Sequence, residues 1–224
     1  MRIGVYDSGI GGLTTLSRLI SAFPDCDYLY FADNDLFPFG QKNADFLKRN
    51  LLHKLKIIKR ETDLIVVGCY TASSLVQDSL KDVYTLKPYV DKETLLIATP
   101  NTIKNLKPQC MTGDTPNLAS LIQNCFVLEK ECSAIDDYLY ETLNCYYGVE
   151  TVSLGCTHYN FIKDKIQNLL CPKRIVDGND DLIYKLAFAV KPSDSQGKVS
   201  FSFSGAQQTD IYAKLLKKLI NKKI

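Results

Sequence analysis

The sequence predicts an α/β protein made of two similar lobes with mostly parallel sheets around a central cleft. Three observations predict it. Short apolar runs rich in β-branched residues alternate with helical apolar spacing along the chain, which is the pattern of buried parallel strands with helices on their faces. Two of these runs end in the same step, a glycine and a cysteine leading into a helical start: Leu64-Ile65-Val66-Val67-Gly68-Cys69-Tyr70-Thr71-Ala72-Ser73 and Thr151-Val152-Ser153-Leu154-Gly155-Cys156-Thr157-His158. Between them, residues 108–117 carry Gly113, Asp114 and two prolines, a loop signal that marks the break between halves.

The elements follow in order. Residues 3–6, 28–32, 64–67 and 95–98 read as buried strands, and residues 13–23, 44–60 and 72–81 carry helical spacing between them. In the second half, helices over 134–146 and 161–170 flank a strand at 152–154. Short strands follow at Val176 and 199–203, and an amphipathic helix over 211–220 closes the chain. The expected division is a first lobe of residues 1–98 and a second of 99–204, with 205–224 packing back on the first.

Composition excludes several classes. The formal net charge of +2 gives no case for nucleic acid, and Lys214, Lys217, Lys218, Lys222 and Lys223 read as the solvated face of the last helix. The first residues enter a strand without an apolar leader, and no apolar stretch reaches the roughly 18 residues of a membrane span. Eight cysteines without an export signal read as reduced thiols, so the cytoplasm is the expected compartment. There is no C-x-x-C pair, and Cys156-Thr157-His158 is too sparse for zinc, so no metal is expected.

A thiol at the carboxyl end of a buried strand meets a helix N-terminus, which favours the thiolate. Two thiols in matching contexts suit either redox exchange or acid–base work on opposite faces of one carbon. Asp7, ending the first strand in Asp7-Ser8-Gly9-Ile10-Gly11-Gly12-Leu13-Thr14, is aimed into the cleft; a dinucleotide fingerprint fails there because Thr14 stands where the third glycine belongs. His158 lies beside Cys156 and can stabilise a thiolate or relay its proton. His53 reads as surface, and Cys26, Cys110, Cys132, Cys145 and Cys171 as packing residues. The flanking hydroxyls, Asp7 and His158 favour a small polar substrate.

The Asp-Ser-Gly-x-Gly-Gly turn, Cys69-Tyr70-Thr71-Ala72-Ser73 and Leu154-Gly155-Cys156-Thr157-His158-Tyr159 resemble the signature motifs of glutamate racemases, within the aspartate/glutamate racemase superfamily. Asp33-Asn34-Asp35-Leu36-Phe37-Pro38-Phe39-Gly40 is similar to the family's Asp-Thr-x-x-x-Pro-Tyr-Gly loop, and Phe201-Ser202-Phe203-Ser204-Gly205 to the stretch before its last helix. The resemblance implies racemisation by Cys69 and Cys156 without pyridoxal phosphate or any other cofactor. It implies that Asp7 and His158 assist, and that Ser8, Pro38, Phe39, Gly40, Tyr70, Thr71 and Thr157 form the substrate shell. It also places an acidic residue upstream of the second cysteine, matched to Glu129. Two positions depart from the family pattern: Tyr70 replaces an asparagine, filling the pocket or offering its hydroxyl to a different ligand, and Phe39 replaces a tyrosine.

The expected function is interconversion of L- and D-glutamate, supplying D-glutamate for peptidoglycan. The alternatives are a racemase of another amino acid such as aspartate, or a racemase-like binding protein without turnover; a redox role ranks last. The expected partner is a small amino acid, with no nucleic acid and no membrane, and a homodimer is left open.

Overall fold

The computed structural model describes residues 1–76, 80–128, 132–191 and 197–221. In chain order its strands are β1 (Arg2–Asp7), β2 (Asp27–Ala32), β3 (Leu64–Val67), β4 (Val83–Thr85), β5 (Thr94–Ala98), β6 (Met111–Asp114), β7 (Thr151–Gly155), β8 (Arg174–Val176) and β9 (Val199–Phe203). Its helices are α1 (Leu13–Ala22), α2 (Ala44–Ile58), α3 (Tyr70–Ser73), α4 (Pro100–Leu106), α5 (Leu118–Val127), α6 (Ser133–Leu143), α7 (Lys163–Leu170), α8 (Asn179–Ala187) and α9 (Thr209–Asn221). Two all-parallel sheets result, one in the order β4-β3-β1-β2-β9 and one in the order β6-β5-β7-β8.

Alternation along the strands assigns each face its cover. Ile3 and Val5 of β1 pack with Leu13, Leu16 and Leu19 of α1, Leu182 and Leu186 of α8, and Leu215, Leu216 and Leu219 of α9. Tyr6 points the other way, into the cluster with Leu47, Leu51, Leu55 and Ile58 on one face of α2. That helix starts where Asn43 accepts a 3.0 Å hydrogen bond from the Phe46 N–H, a side-chain cap. In the second sheet, Leu95, Ile97, Val152 and Leu154 meet α5, α6 and α7. Each fully buried leucine here contributes about 1.5–3 kcal/mol relative to its exposed state.

Four expectations change. The strand at 95–98, assigned to the first lobe, is β5, and it pairs with β6 and β7 in the second sheet. The strand at 199–203, assigned to the second, is β9, and it pairs with β2 at the edge of the first. The boundaries at 98 and 204 therefore do not follow the sheets, because strand partners need not be chain neighbours, although most are. Residues 108–117 are no break either: β6 lies inside them. The helix expected over 72–81 stops at Ser73, whose hydroxyl donates to Val67 O at 2.8 Å and accepts from Leu86 N–H at 3.1 Å; residues 77–79 lie outside the described residues.

Cys132, read as a reduced packing residue, is joined to Cys125 as a disulfide, the end of α5 and the start of α6 bringing their Cα atoms to 5.4 Å. Cys26, Cys69, Cys110, Cys145, Cys156 and Cys171 are free. No helix among the described residues is long and apolar enough to cross a membrane.

Candidate functional site

Both Gly-Cys steps leave the carboxyl ends of parallel strands, where open α/β sheets bind ligands. Cys69 follows β3, the neighbour of β1 and so of Asp7. Cys156 follows β7 in the other sheet, and a 3₁₀ stretch, Thr157–Ile162, begins directly after it. The two thiols line one cavity, together with Ser8, Pro38, Phe39, Gly40, Tyr70, Thr71, Thr157 and His158. Asp7 does not line it but lies behind the wall, fully buried. Sequence reasoning missed three further lining residues, Phe37, Thr99 and Ala119. Thr99 follows β5 just as Cys156 follows the adjacent β7, a positional signal hidden by the misassigned strand.

The cavity is closed. Its volume is about 10 Å³, room for about one water molecule. Contacts between the sheets hold it shut. Thr157 Oγ1 donates to Asp7 Oδ2 at 3.1 Å, and the Thr71 hydroxyl lies 3.0 Å from that of Thr99 and 2.9 Å from that of Thr102. Above the thiols, the Asn101 amide donates to Phe39 O at 2.8 Å and to Lys42 O at 2.7 Å, while Gln41 donates to Pro116 O at 2.8 Å. The Phe37 ring packs over His158, centroids 5.2 Å apart. Gly11 permits a close approach: a Cβ there would lie 2.8 Å from the His158 backbone nitrogen and nearer still to the Thr157 hydroxyl.

Burial dominates the electrostatics. It pushes the Cys69 thiol up to about 12, with the Asp7 charge adding, against N–H groups of Ala72 and Thr71 and the Ser8 hydroxyl; Ser8 Oγ is 3.6 Å from the sulfur. Burial, followed by the charge of Cys69, also holds Cys156 well above its ordinary value, opposed by the His158 N–H. The expectation that helix N-termini would favour thiolates is thus overturned in the closed state. The N–H groups do reach the sulfurs, but one four-residue helix and one 3₁₀ turn do not offset the loss of solvent. Burial raises Asp7 to about 7, opposed by N–H groups of Gly9, Gly12 and Ser8 and by Thr157. Burial lowers His158 to about 3, so its ring is neutral. Its Nδ1 lies 3.9 Å from Cys156 Sγ, at the outer limit for a sulfur hydrogen bond, and its Nε2 lies 2.9 Å from Gln123 Oε1.

Tyr70 does one of the two things expected of it. Its ring fills space beside the cavity, but its hydroxyl is engaged elsewhere, accepting from the Gly178 N–H at 2.7 Å. Glu129, matched to the family's acidic residue, lies outside the described residues; the side chain found on His158 is the amide of Gln123. Among the described residues no three His, Cys, Asp or Glu side chains are placed to share a metal ion.

No protein-family model matches the chain. Curated relatives do. The chain is 30% identical over 238 residues to a glutamate racemase of Campylobacter concisus (strain 13826), covering 92% of this chain and 91% of that one. Among solved structures, Escherichia coli glutamate racemase in complex with L-glutamate and the activator UDP-MurNAc-ala matches with a TM-score of 0.81 at 21% identity, covering 97% of this chain and 94% of that one. The Francisella tularensis glutamate racemase in complex with D-glutamate matches with a TM-score of 0.78 at 23% identity, covering 98% and 93%. At these identities the structural likeness carries the fold.

Proposed function

Because the chain belongs to the glutamate racemase family, we propose that it interconverts L- and D-glutamate, with Cys69 and Cys156 as the acid–base pair on opposite faces of the α-carbon. The observation that carries the reading is the placement of two free thiols from two different sheets in the walls of one cavity. One thiolate removes the α-proton while the opposite thiol supplies a proton to the other face, and the roles reverse with direction. Both thiols hold their protons in the closed state, so each needs a base beside it. Asp7, titrating near neutrality, serves the Cys69 side, and Nδ1 of His158 serves Cys156. The hydroxyls of Ser8, Thr71 and Thr157, with backbone N–H groups at the helix starts, supply donors for the substrate carboxylate as the α-carbon gains negative charge.

A cavity that holds one water does not admit glutamate. The sheets part to admit substrate and close to exclude water. The reading places the enzyme in the cytoplasm, where six of its cysteines stand as free thiols and Cys125–Cys132 is an exception to the reduced pattern, and gives its product to peptidoglycan synthesis. A second reading, a binding protein without turnover, draws on the closed cavity and on the Tyr70 ring beside it.

Loss of the circular dichroism of L- and D-glutamate separates the two readings. In deuterated water the racemase places solvent deuterium at the α-carbon. Cys69→Ala and Cys156→Ala each abolish racemisation, and the serine variants retain partial reactions from one enantiomer only. Full activity in either alanine variant overturns the two-thiol assignment, and preferential turnover of aspartate would replace glutamate as the substrate.

A further inference from the structure

Gln123, on α5, sets its Oε1 between two groups of different origin. The backbone N–H of Ile10, in the turn between β1 and α1, donates to it at 3.0 Å. Nε2 of His158 lies 2.9 Å from the same oxygen. A backbone N–H can only donate, so the Gln123 atom facing it is the carbonyl oxygen and not the amide nitrogen. Nε2 faces that oxygen too and therefore carries a proton. A neutral imidazole has only one such proton, so Nδ1 presents a lone pair, and Nδ1 is the atom turned towards Cys156 Sγ at 3.9 Å. Gly9 leaves room for the amide: a Cβ there would lie 3.0 Å from both Cδ and Nε2 of Gln123.

We propose that Gln123 is a positioning residue for the Cys156 face, holding His158 as the Nε2–H tautomer so that Nδ1 exchanges a proton with the Cys156 thiol. When Cys156 is to act as base, its S–H bond breaks, the electron pair stays on sulfur, and an Nδ1–H bond forms. In the opposite direction the Cys156 S–H bond breaks as its proton goes to the α-carbon, and the thiolate left behind takes the Nδ1 proton, breaking Nδ1–H and re-forming S–H. An amide suits this exchange. It fixes the ring through a neutral acceptor at Nε2 and leaves Nδ1 as the nitrogen whose proton comes and goes. The kinetic consequence rests on the racemase reading, whereas the tautomer rests on geometry alone.

The chain has two histidines, and the other, His53, is exposed, so the ring nitrogens of ¹⁵N-labelled protein separate in a long-range ¹⁵N–¹H correlation spectrum. At neutral pH the wild type should show His158 protonated at Nε2 and bare at Nδ1. Gln123→Met, of similar length but without a carbonyl, should lose that single tautomer. It should also lower kcat roughly 10- to 100-fold in the direction that begins with abstraction by Cys156, with a smaller change in KM. Gln123→Glu keeps an acceptor for both donors and should retain the Nε2–H form. A wild-type His158 protonated at Nδ1 overturns the proposal even if the methionine variant fails to fold. An unchanged tautomer in Gln123→Met, or an equal loss of kcat in both directions, also overturns it; kcat/KM falls equally in both in any case, because the equilibrium constant between enantiomers is one. If the wild type racemises nothing but the tautomer behaves as stated, the racemase reading falls and the placement of Gln123 stands.

Discussion

Thr157 Oγ1 and Asp7 Oδ2 lie 3.1 Å apart, so the residue after one thiol donates to the carboxyl group that lies beside the other. The two halves of the site are therefore not electrostatically independent. Thr157→Val keeps the side-chain shape and removes the donor. Asp7 then loses a hydrogen bond that lowers its pKa, and its ionisation moves to higher pH. The ascending limb of the pH profile of kcat/KM should move upward in this variant. An unmoved limb would show that Asp7 is not the group that titrates in the reaction.

Asp7 and His158 should pull stability in opposite directions with pH. The folded Asp7 ionises at about 7, against an ordinary value of 3.8, so its stabilising contribution is full below that ordinary value and is lost as pH rises towards 7. His158 is held neutral down to about 3, against 6.5, so its contribution is full above 6.5 and is lost as pH falls towards 3. Each slope is at most about 1.4 kcal/mol per pH unit, and the two largely cancel where they overlap. Asp7→Asn should unmask a stability that rises with pH across the acid range, and His158→Gln one that falls. Urea denaturation at several pH values checks both; parallel profiles in the two variants would contradict the assignment.

Tyr70→Phe removes the acceptor of the Gly178 N–H. Leaving a buried donor unpaired costs about 1–3 kcal/mol, measurable as a lower urea midpoint. Because the hydroxyl is engaged at Gly178, kcat on glutamate should stay close to wild type. A variant that is equally stable but inactive would assign the hydroxyl to the ligand instead.

Gly11→Ala tests how closely the sheets must meet. The new Cβ would fall 2.8 Å from the His158 backbone nitrogen, so the backbone must yield and the Thr157–Asp7 contact opens. The protein should fold, since Gly11 lies in a turn facing the cleft, while kcat falls roughly 10- to 100-fold, the usual scale for misplacing reacting groups by about 1 Å. Activity equal to wild type would mean that the closed geometry is not the reacting one.

Much of this site was legible in the sequence because local chemistry writes it there. A strand that ends in Gly-Cys, a turn that needs Gly11, and a histidine two residues from a thiol each leave a mark within a few positions. The pairing of Leu95–Ala98 with Val152–Gly155, by contrast, depends on partners far along the chain, and an apolar run such as 95–98 looks the same in either sheet. Gln123 was invisible for a related reason. It is one of three polar residues in α5, with Ser120 and Asn124, and only the folded chain reveals that His158 and Ile10 meet there. The protonated state of the thiols was misread because the helix starts could be seen locally, whereas their burial depends on both sheets at once.

The backbone passes from the first sheet to the second between β4 and β5, and it returns after β8 so that β9 can take its edge. On the proposed reading these two crossings are the links about which the sheets part and close, so that Cys69 beside one sheet and Cys156 beside the other meet the α-carbon from two fixed sides.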